Sequence, residues 1–378
     1  MPAIRPRDLL TDGVLGHLHG ADLADGPVGA EGTDLAGDPA LAALARDIGV
    51  LRDVGYLSVA LPAELGGLGC TLRQAACGQR RLAGLAPRTA LAVSAHLYWT
   101  GAAADACRSG DSSMEWILRE AARGALFGAG HCASGASGKG AEPGGDLKFA
   151  SPDSRCDLDE NGGYAFRSPA AMASLTPRCD WVAVHALTDG TGASGGTGGR
   201  PPGRYRHDAV LAFAGTGSRC TPAFRVARVL PAGAPSDVFT TSAIGWGCAL
   251  LASVEFSAAR RAFRQAVGSA SRAAAAGTAA PVPGPRRGTP SDGASLLDQW
   301  PVTEAGLRLD AMKDRIAQVT HPWPGVPEPG PDLGGQHLIS VYAMRREVAE
   351  GAARVRALSA QIAASHSGSG SAITTRSA

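Results

Sequence analysis

The sequence predicts a mainly α protein with a small β unit in the middle of the chain. Three observations carry that prediction. Apolar residues recur at three- and four-residue spacing before position 125. Short β-branched and aromatic runs between turn signals follow Leu126. Long apolar helical patterns return after Ser236. The expected units are therefore a helical domain at residues 1–125, a central β domain at 126–234 and a helical bundle at 235–378.

Residues 1–37 are rich in Gly and Asp and predict a short helix followed by irregular chain. In DPALAALARDIGVLRDVGYL, Leu41, Leu44, Ile48 and Leu51 share one helical face, with Asp38-Pro39 as cap and first position. This helix is expected to stop near Gly55, before the glycine-punctuated loop SVALPAELGGLGCT. Further helices are expected at Leu72–Leu85, at Thr89–Arg108 and, from a serine cap, at Ser112–Arg123. YAFRSP, WVAVHAL and HDAVLAFAG read as strands, and ENGG at 160–163 as a tight turn between two of them. The stretch DGTGASGGTGGRPPG has nothing to bury and reads as a loop. Val238–Ala270, Leu296–Val319 and Gln336–Ala364 read as long helices separated by Ala/Pro/Gly-rich breaks, with a polar tail after them.

Composition narrows the function classes. Over 378 residues, 36 basic and 34 acidic side chains give a net charge of +2, which offers no general reason to expect nucleic acid or an anionic membrane as partner. The eight cysteines form no CxxC pair, which argues against structural zinc and favours reduced thiols. The opening MPAIRPRDLL holds no apolar run of signal-peptide length, and no run of 18 apolar residues is present. The expectations are a cytoplasmic protein and no transmembrane helix. With 51 glycines in the chain, a glycine cluster alone is weak evidence for a motif.

That discount applies to GHCASGASGKGAEPGGD, from Gly130 to Asp146. A phosphate-binding P-loop needs G-x-x-x-x-G-K-[ST]; here Ala133 stands five before Gly138, and Gly140 follows Lys139 where a hydroxyl must ligate magnesium. A dinucleotide fingerprint is no better placed, because helices rather than a βαβ unit precede it.

Several stretches together resemble the acyl-CoA dehydrogenase superfamily, including the flavin-dependent hydroxylases of that fold. GYLSVALPAELGGLG, Gly55 to Gly69, is similar to the N-terminal signature G-x-x-x-x-x-x-P-x-E-x-G-G-x-G. His96 in AVSAHLYW falls where the family often has a histidine. GGYAFRSPAAMASLTPRCDWVAVHAL resembles the strand pair of the family's β domain, and ASHSGSGSA its glycine-rich C-terminal turn. The resemblance implies an N-terminal helical domain, a β barrel or sandwich, and a C-terminal helical bundle. It also implies FAD between sheet and bundle, a small-molecule substrate such as an acyl thioester, and a homo-oligomer, dimer or tetramer.

Residue by residue, AEPGGD is similar to the family's T-E-P-x-x-G-S-D segment. That implies flavin contacts at Glu142, Pro143, Gly144 and Asp146; the other reading is a solvent-exposed loop. Ser174 and Thr176 in MASLTP match the hydroxyl position beside the flavin ring, where hydrogen bonds would tune its electronics; alternatively they close a turn before Pro177. His131 and His96 are acid–base candidates, since an imidazole titrates near neutrality, or else are structural histidines. Trp246 faces a pocket or packs in the core.

The departures from the family pattern leave other readings open. The family's catalytic glutamate lies after the glycine-rich turn or on an early bundle helix. The first place holds only the eight residues after Gly370, and the second reads AIGWGCALLASVEF, with no carboxylate before Glu255. Ala170 replaces the lysine of G-x-K. R-x-x-F-G has no good match, leaving Arg264 and Arg272 as weak substitutes, and CTPAFRVARVLPAG is expected to run almost directly into the bundle. Hydroxylation therefore competes with dehydrogenation. So do a chain that has lost FAD and works as a cyclase-like pocket catalyst or binding subunit, and a degenerate chain with little activity.

Overall fold

The computed structural model describes residues 6–18, 39–129, 155–158, 164–167, 179–188, 208–215, 224–230, 238–275, 296–320 and 333–367. Two short helices, α1 (Pro6–Leu9) and α2 (Asp12–Gly16), come first, and Arg81 fixes them from below: its Nε donates to Leu10 O at 2.6 Å and its Nη2 to Asp12 Oδ1 at 2.7 Å. Helix α3 (Pro39–Asp53) begins at the expected proline and presents Leu41, Leu44, Ile48 and Leu51 to the core. It ends before Gly55, whose φ of 76° is the left-handed conformation that glycine adopts without strain.

The expected glycine-punctuated loop contains two 3₁₀ turns, Tyr56–Ser58 and Ala63–Leu65. It folds back so closely that a Cβ on Gly67 would sit 2.1 Å from the Leu61 carbonyl oxygen. The glycine there answers a steric demand, which separates this stretch from the general glycine enrichment of the chain.

Helix α4 (Leu72–Ala83) starts with a capping box: Thr71 Oγ1 accepts from the Gln74 N–H, and Gln74 Oε1 accepts from the Thr71 N–H at 2.9 Å. Helix α5 (Pro87–Arg108) starts two residues before the expected Thr89, because Pro87 suits the first helical position. Nearly every residue of α5 from Pro87 to Ala106 is buried, so it serves as a central post without a solvent face. Between α4 and α5, buried Gln79 accepts at Oε1 from the Tyr56 hydroxyl at 3.0 Å and donates from Nε2 to Ala90 O and Ser94 Oγ, both at 2.8 Å. The last N-terminal helix differs from expectation. Ser112–Met114 is a 3₁₀ turn capped by the Asp111 side chain, and α6 runs Glu115–Ala122.

Six strands are described: β1 (Phe127–Ala129), β2 (Arg155–Leu158), β3 (Tyr164–Arg167), β4 (Trp181–Thr188), β5 (Asp208–Gly215) and β6 (Phe224–Leu230). They form one mixed sheet in the order β3-β2-β4-β5-β6, with β1 pairing in parallel along the start of β4, Phe127 opposite Trp181. β2 and β3 are antiparallel neighbours, Leu158 opposite Tyr164, as the ENGG turn predicts. β6 lies in the stretch expected to pass almost directly into the bundle. It pairs with β5 across a register shift at Leu211/Ala212.

Three long helices complete the fold: α7 (Val238–Ala275), α8 (Leu296–Val319) and α9 (Leu333–Ser367). By length and composition alone Val238–Ala273 is long and apolar enough to cross a membrane; in the structure 78% of its most apolar window is buried. It packs against α4, α5 and α9. The α8–α9 seam is zipped by Glu304, which accepts from Arg308 at 2.9 Å and from Arg354 at 2.8 Å, and by Arg315 on Glu347 at 2.7 Å. One continuous apolar core joins α3 to α9 and reaches the sheet through Phe127, Trp181 and Phe213.

Candidate functional site

The described residues converge where β1 and β4 meet α5, α6 and α7. An aromatic cluster fills the junction. Trp99 lies edge-on to Phe213 at 5.1 Å between centroids and stacks on Phe239 at 6.1 Å. Trp116 meets Trp181 at 5.3 Å, and Phe127 meets Phe213 at 5.8 Å. Burying so much ring area makes this wall rigid, with the edge-to-face geometry that ring quadrupoles favour.

The chain entering β1 is gripped by side chains from three other segments. Arg52 on α3 donates to Gly124 O at 3.2 Å. Asp180 Oδ2 accepts from the Leu126 N–H at 2.9 Å, while the Asp180 N–H donates back to Leu126 O at 2.8 Å. His96 on α5 takes the next amide, accepting from the Phe127 N–H at Nδ1 over 3.3 Å. The other ring nitrogen of His96, Nε2, lies 2.9 Å from Leu57 O. A carbonyl can only accept and an amide N–H can only donate, so the partners fix the neutral Nε2–H tautomer. Burial holds the ring's pKa down at about 4; the bond to Leu57 and the charge of Asp180 raise it, and Arg52 lowers it.

A second buried group lies between α5 and α7. Asp105, 1% exposed, accepts from Trp246 Nε1 at 2.8 Å, from Arg108 and from Ser242. Burial pushes its carboxyl upward and those three partners pull it back. Further along α7, Arg345 of α9 holds both oxygens of Glu255, one of them at 2.8 Å. Burial also pushes the Cys248 thiol up to about 12, away from thiolate chemistry. Among the described residues no three His, Cys, Asp or Glu side chains converge as a metal site requires.

Of the site residues expected from sequence, only His96 lies among the described residues, and it bridges two backbone groups. His131, Glu142, Pro143, Gly144, Asp146, Ser174 and Thr176 lie outside them. Trp246 is fully buried, the packing alternative. Sequence reading passed over Arg52, Asp105 and Asp180. The Cys-Asp-Trp run just before an apolar strand was the available signal for Asp180; nothing local marked the other two.

The whole chain was compared with known proteins. No family model and no curated protein matches. Among solved structures, nitrososynthase from Micromonospora carbonacea var. africana is similar at TM-score 0.61 and 19% identity, over 95% of this chain and 85% of that one. KijD3, in complex with FMN and a dTDP-linked amino-keto sugar, matches at TM-score 0.55 and 18% identity, over 97% and 83%. Butyryl-CoA dehydrogenase from Megasphaera elsdenii matches at TM-score 0.56 and 11% identity, over 96% and 89%.

The chain has the acyl-CoA dehydrogenase fold.

In this acyl-CoA dehydrogenase-fold chain, the β1–β4 pair takes on a specific place. Residues 130–146, with the segment resembling T-E-P-x-x-G-S-D, follow the end of β1. Ser174 and Thr176 precede β4 in sequence. The described strand pair is thus adjacent in sequence to both of the segments that the resemblance singles out.

Proposed function

We propose that the chain is a flavin-dependent oxidoreductase of the oxygenase kind, acting on a small-molecule substrate. The observation that carries this reading is the fold shared over nearly the whole chain with a nitrososynthase and with FMN-bound KijD3. A methanesulfinate monooxygenase from Pseudomonas fluorescens, at TM-score 0.55 and 12% identity, supports the same choice. Glu255 supports it from the other side. It is the one carboxylate of α7, and its oxygens are held by Arg345, which leaves no free base there for abstracting a proton next to a thioester.

The β1–β4 pair, held at its start by Arg52, His96 and Asp180, supports the reading as a fixed base for cofactor-binding segments. Glu142, Gly144, Asp146, Ser174 and Thr176 are the residues that would hold flavin, and His131 would serve acid–base work. When bound, the flavin supplies electron transfer and, once reduced, reaction with oxygen. FMN, from the neighbours, and FAD, from the sequence resemblance, are both candidates. The reading includes division at 1–125, 126–234 and 235–378, a β barrel or sandwich in the middle domain and a homo-oligomer. A flavin-free pocket catalyst is the second reading, favoured by Ala170 where the family pattern has lysine.

Visible spectra and fluorescence titrations with FMN and FAD, oxidised and dithionite-reduced, test the proposal. Saturable binding of either flavin, with oxygen uptake after reduction, is the expected result. A colourless protein that binds neither flavin in either redox state would refute it.

A further inference from the structure

The grip on the chain entering β1 uses an imidazole as its central element, and the geometry carries a consequence beyond flavin chemistry. Gly124 O, the Leu126 N–H and the Phe127 N–H are taken in sequence by Arg52, Asp180 and His96, from α3, the approach to β4 and α5. His96 continues across, from Phe127 to Leu57 in the first 3₁₀ turn. The ring stacks on Phe127 with centroids 6.1 Å apart, so it holds both the backbone and the side chain of the first β1 residue.

We propose that His96 is a positioning residue. In its neutral Nε2–H tautomer it pins the start of β1 against Leu57, and a proton on Nδ1 releases that start from the helical layer. The consequence for the cofactor segments rests on the flavin reading; the clamp itself does not.

Protonation changes the clamp by simple chemistry. A second proton turns Nδ1 from acceptor to donor, facing the Phe127 N–H, and the buried amide is left unpaired. The charged groups facing the ring are Arg52, which opposes the imidazolium, and Asp180, which favours it. Leu57 adds only its carbonyl, and Phe127 no titratable group. Asp180 already serves the Leu126 N–H, so a charged His96 must compete with that bond. Opening the clamp returns the ring to water. The open form then binds protons from near pH 6.5, and the closed form only near pH 4.

Hydrogen–deuterium exchange on the intact protein tests this. Peptides spanning residues 124–129 are compared with peptides from α8 and from α9 beyond residue 345, clear of His337, whose pKa burial also lowers, at about pH 7 and about pH 4.5, after correction for intrinsic exchange. The two proton affinities set the expected effect: a roughly 50-fold loss of protection in the 124–129 peptides, with α8 and α9 unchanged. His96→Gln removes the titratable group and should flatten that dependence to about twofold or less. Asp180→Asn, which keeps an acceptor for Leu126, should preserve it.

A pH-independent 124–129 segment in the wild type would overturn the proposal, and so would an equal loss across α8 and α9. If His96→Gln does not fold, the wild-type measurement decides alone. Flavin titration on the same samples separates the two readings. Flavin binding without the exchange effect removes the clamp and leaves the function, while the exchange effect without flavin binding does the reverse.

Discussion

Substituting Gly101 by alanine should loosen the α5–α7 packing through a single methyl group. The added Cβ would lie 2.3 Å from Trp246 Cδ2 and 2.5 Å from both Cε2 and Cε3, where carbon contacts settle at about 3.5–4.0 Å. The indole must therefore move by more than an ångström. It is fully buried and tethered by Nε1 to Asp105 Oδ2 at 2.8 Å, so the shift breaks a hydrogen bond to a buried carboxylate. Overpacking costs about 1–3 kcal/mol and the lost charge-assisted bond about 1.5–3. The better helix propensity of alanine returns about 1. The net is a destabilisation of about 3 kcal/mol, read by urea denaturation with far-UV circular dichroism and tryptophan fluorescence. The control is Gly101→Ala in a Trp246→Leu background, where no indole blocks the methyl and the same change should be neutral or slightly stabilising. A loss below about 1 kcal/mol in the wild type, or an equal loss in both backgrounds, would show that Trp246 does not set the α5–α7 distance.

Glu255→Gln should lower stability by about 1–3 kcal/mol by breaking the bidentate pair with Arg345, while flavin-linked turnover stays within about threefold; a hundredfold loss with flavin still bound would make Glu255 the base after all. Gln79→Leu should cost about 2–4 kcal/mol, because the Tyr56 hydroxyl and Ser94 lose a buried partner, and adding Tyr56→Phe should recover part of it in the same denaturation assay. Arg354 and Arg308 hold the Glu304 carboxyl down at about 2. A depressed carboxyl stabilises the fold above its unfolded value near 4.5 and loses that contribution as pH falls toward 2. Glu304→Gln should therefore remove part of the acid sensitivity of the melting temperature between about pH 4.5 and 2 and leave the curve above pH 5 unchanged in slope.

Helix periodicity and caps made the helical parts of this fold legible. Pro39 was read as a helix start and Leu296–Val319 was bounded to the residue, while Pro87 states a start that was expected two residues later, at Thr89. β6 was missed because FRVARVL does not alternate strictly: its two arginines are three residues apart, a spacing that does not distinguish a strand from a helix. Asp111, rather than Ser112, caps the turn before α6, one residue from the expected place, since both side chains suit that role. The site was less legible for a different reason. The grip on β1 joins Arg52, His96 and Asp180 across up to 128 positions of sequence, and its targets are backbone groups, which carry no residue signature. His96 stood out because imidazole is rare and chemically versatile, but its partners decide what it does, and they are invisible without the fold.

The two carboxylates that pack with α7 share a logic that bears on the chemistry. A general base needs a lone pair free to meet a substrate proton. Asp105 gives its oxygens to Trp246, Arg108 and Ser242, and Glu255 gives both of its own to Arg345. Each joins α7 to a neighbouring helix, Asp105 to α5 and Glu255 to α9, so each acts as a cross-brace of the bundle. Removing Glu255 would leave the largely buried Arg345 guanidinium without this partner, and removing Asp105 would orphan the Trp246 indole N–H. Proton abstraction by a carboxylate of α7 would require dismantling a brace at every turnover. Oxygen chemistry on a reduced flavin would not require a carboxylate of α7 as base, because the electrons come from the cofactor and acid–base work could fall to a histidine such as His131. Among the described residues, the two carboxylates that pack with α7 are thus committed to structure, which supports the oxygenase reading proposed above.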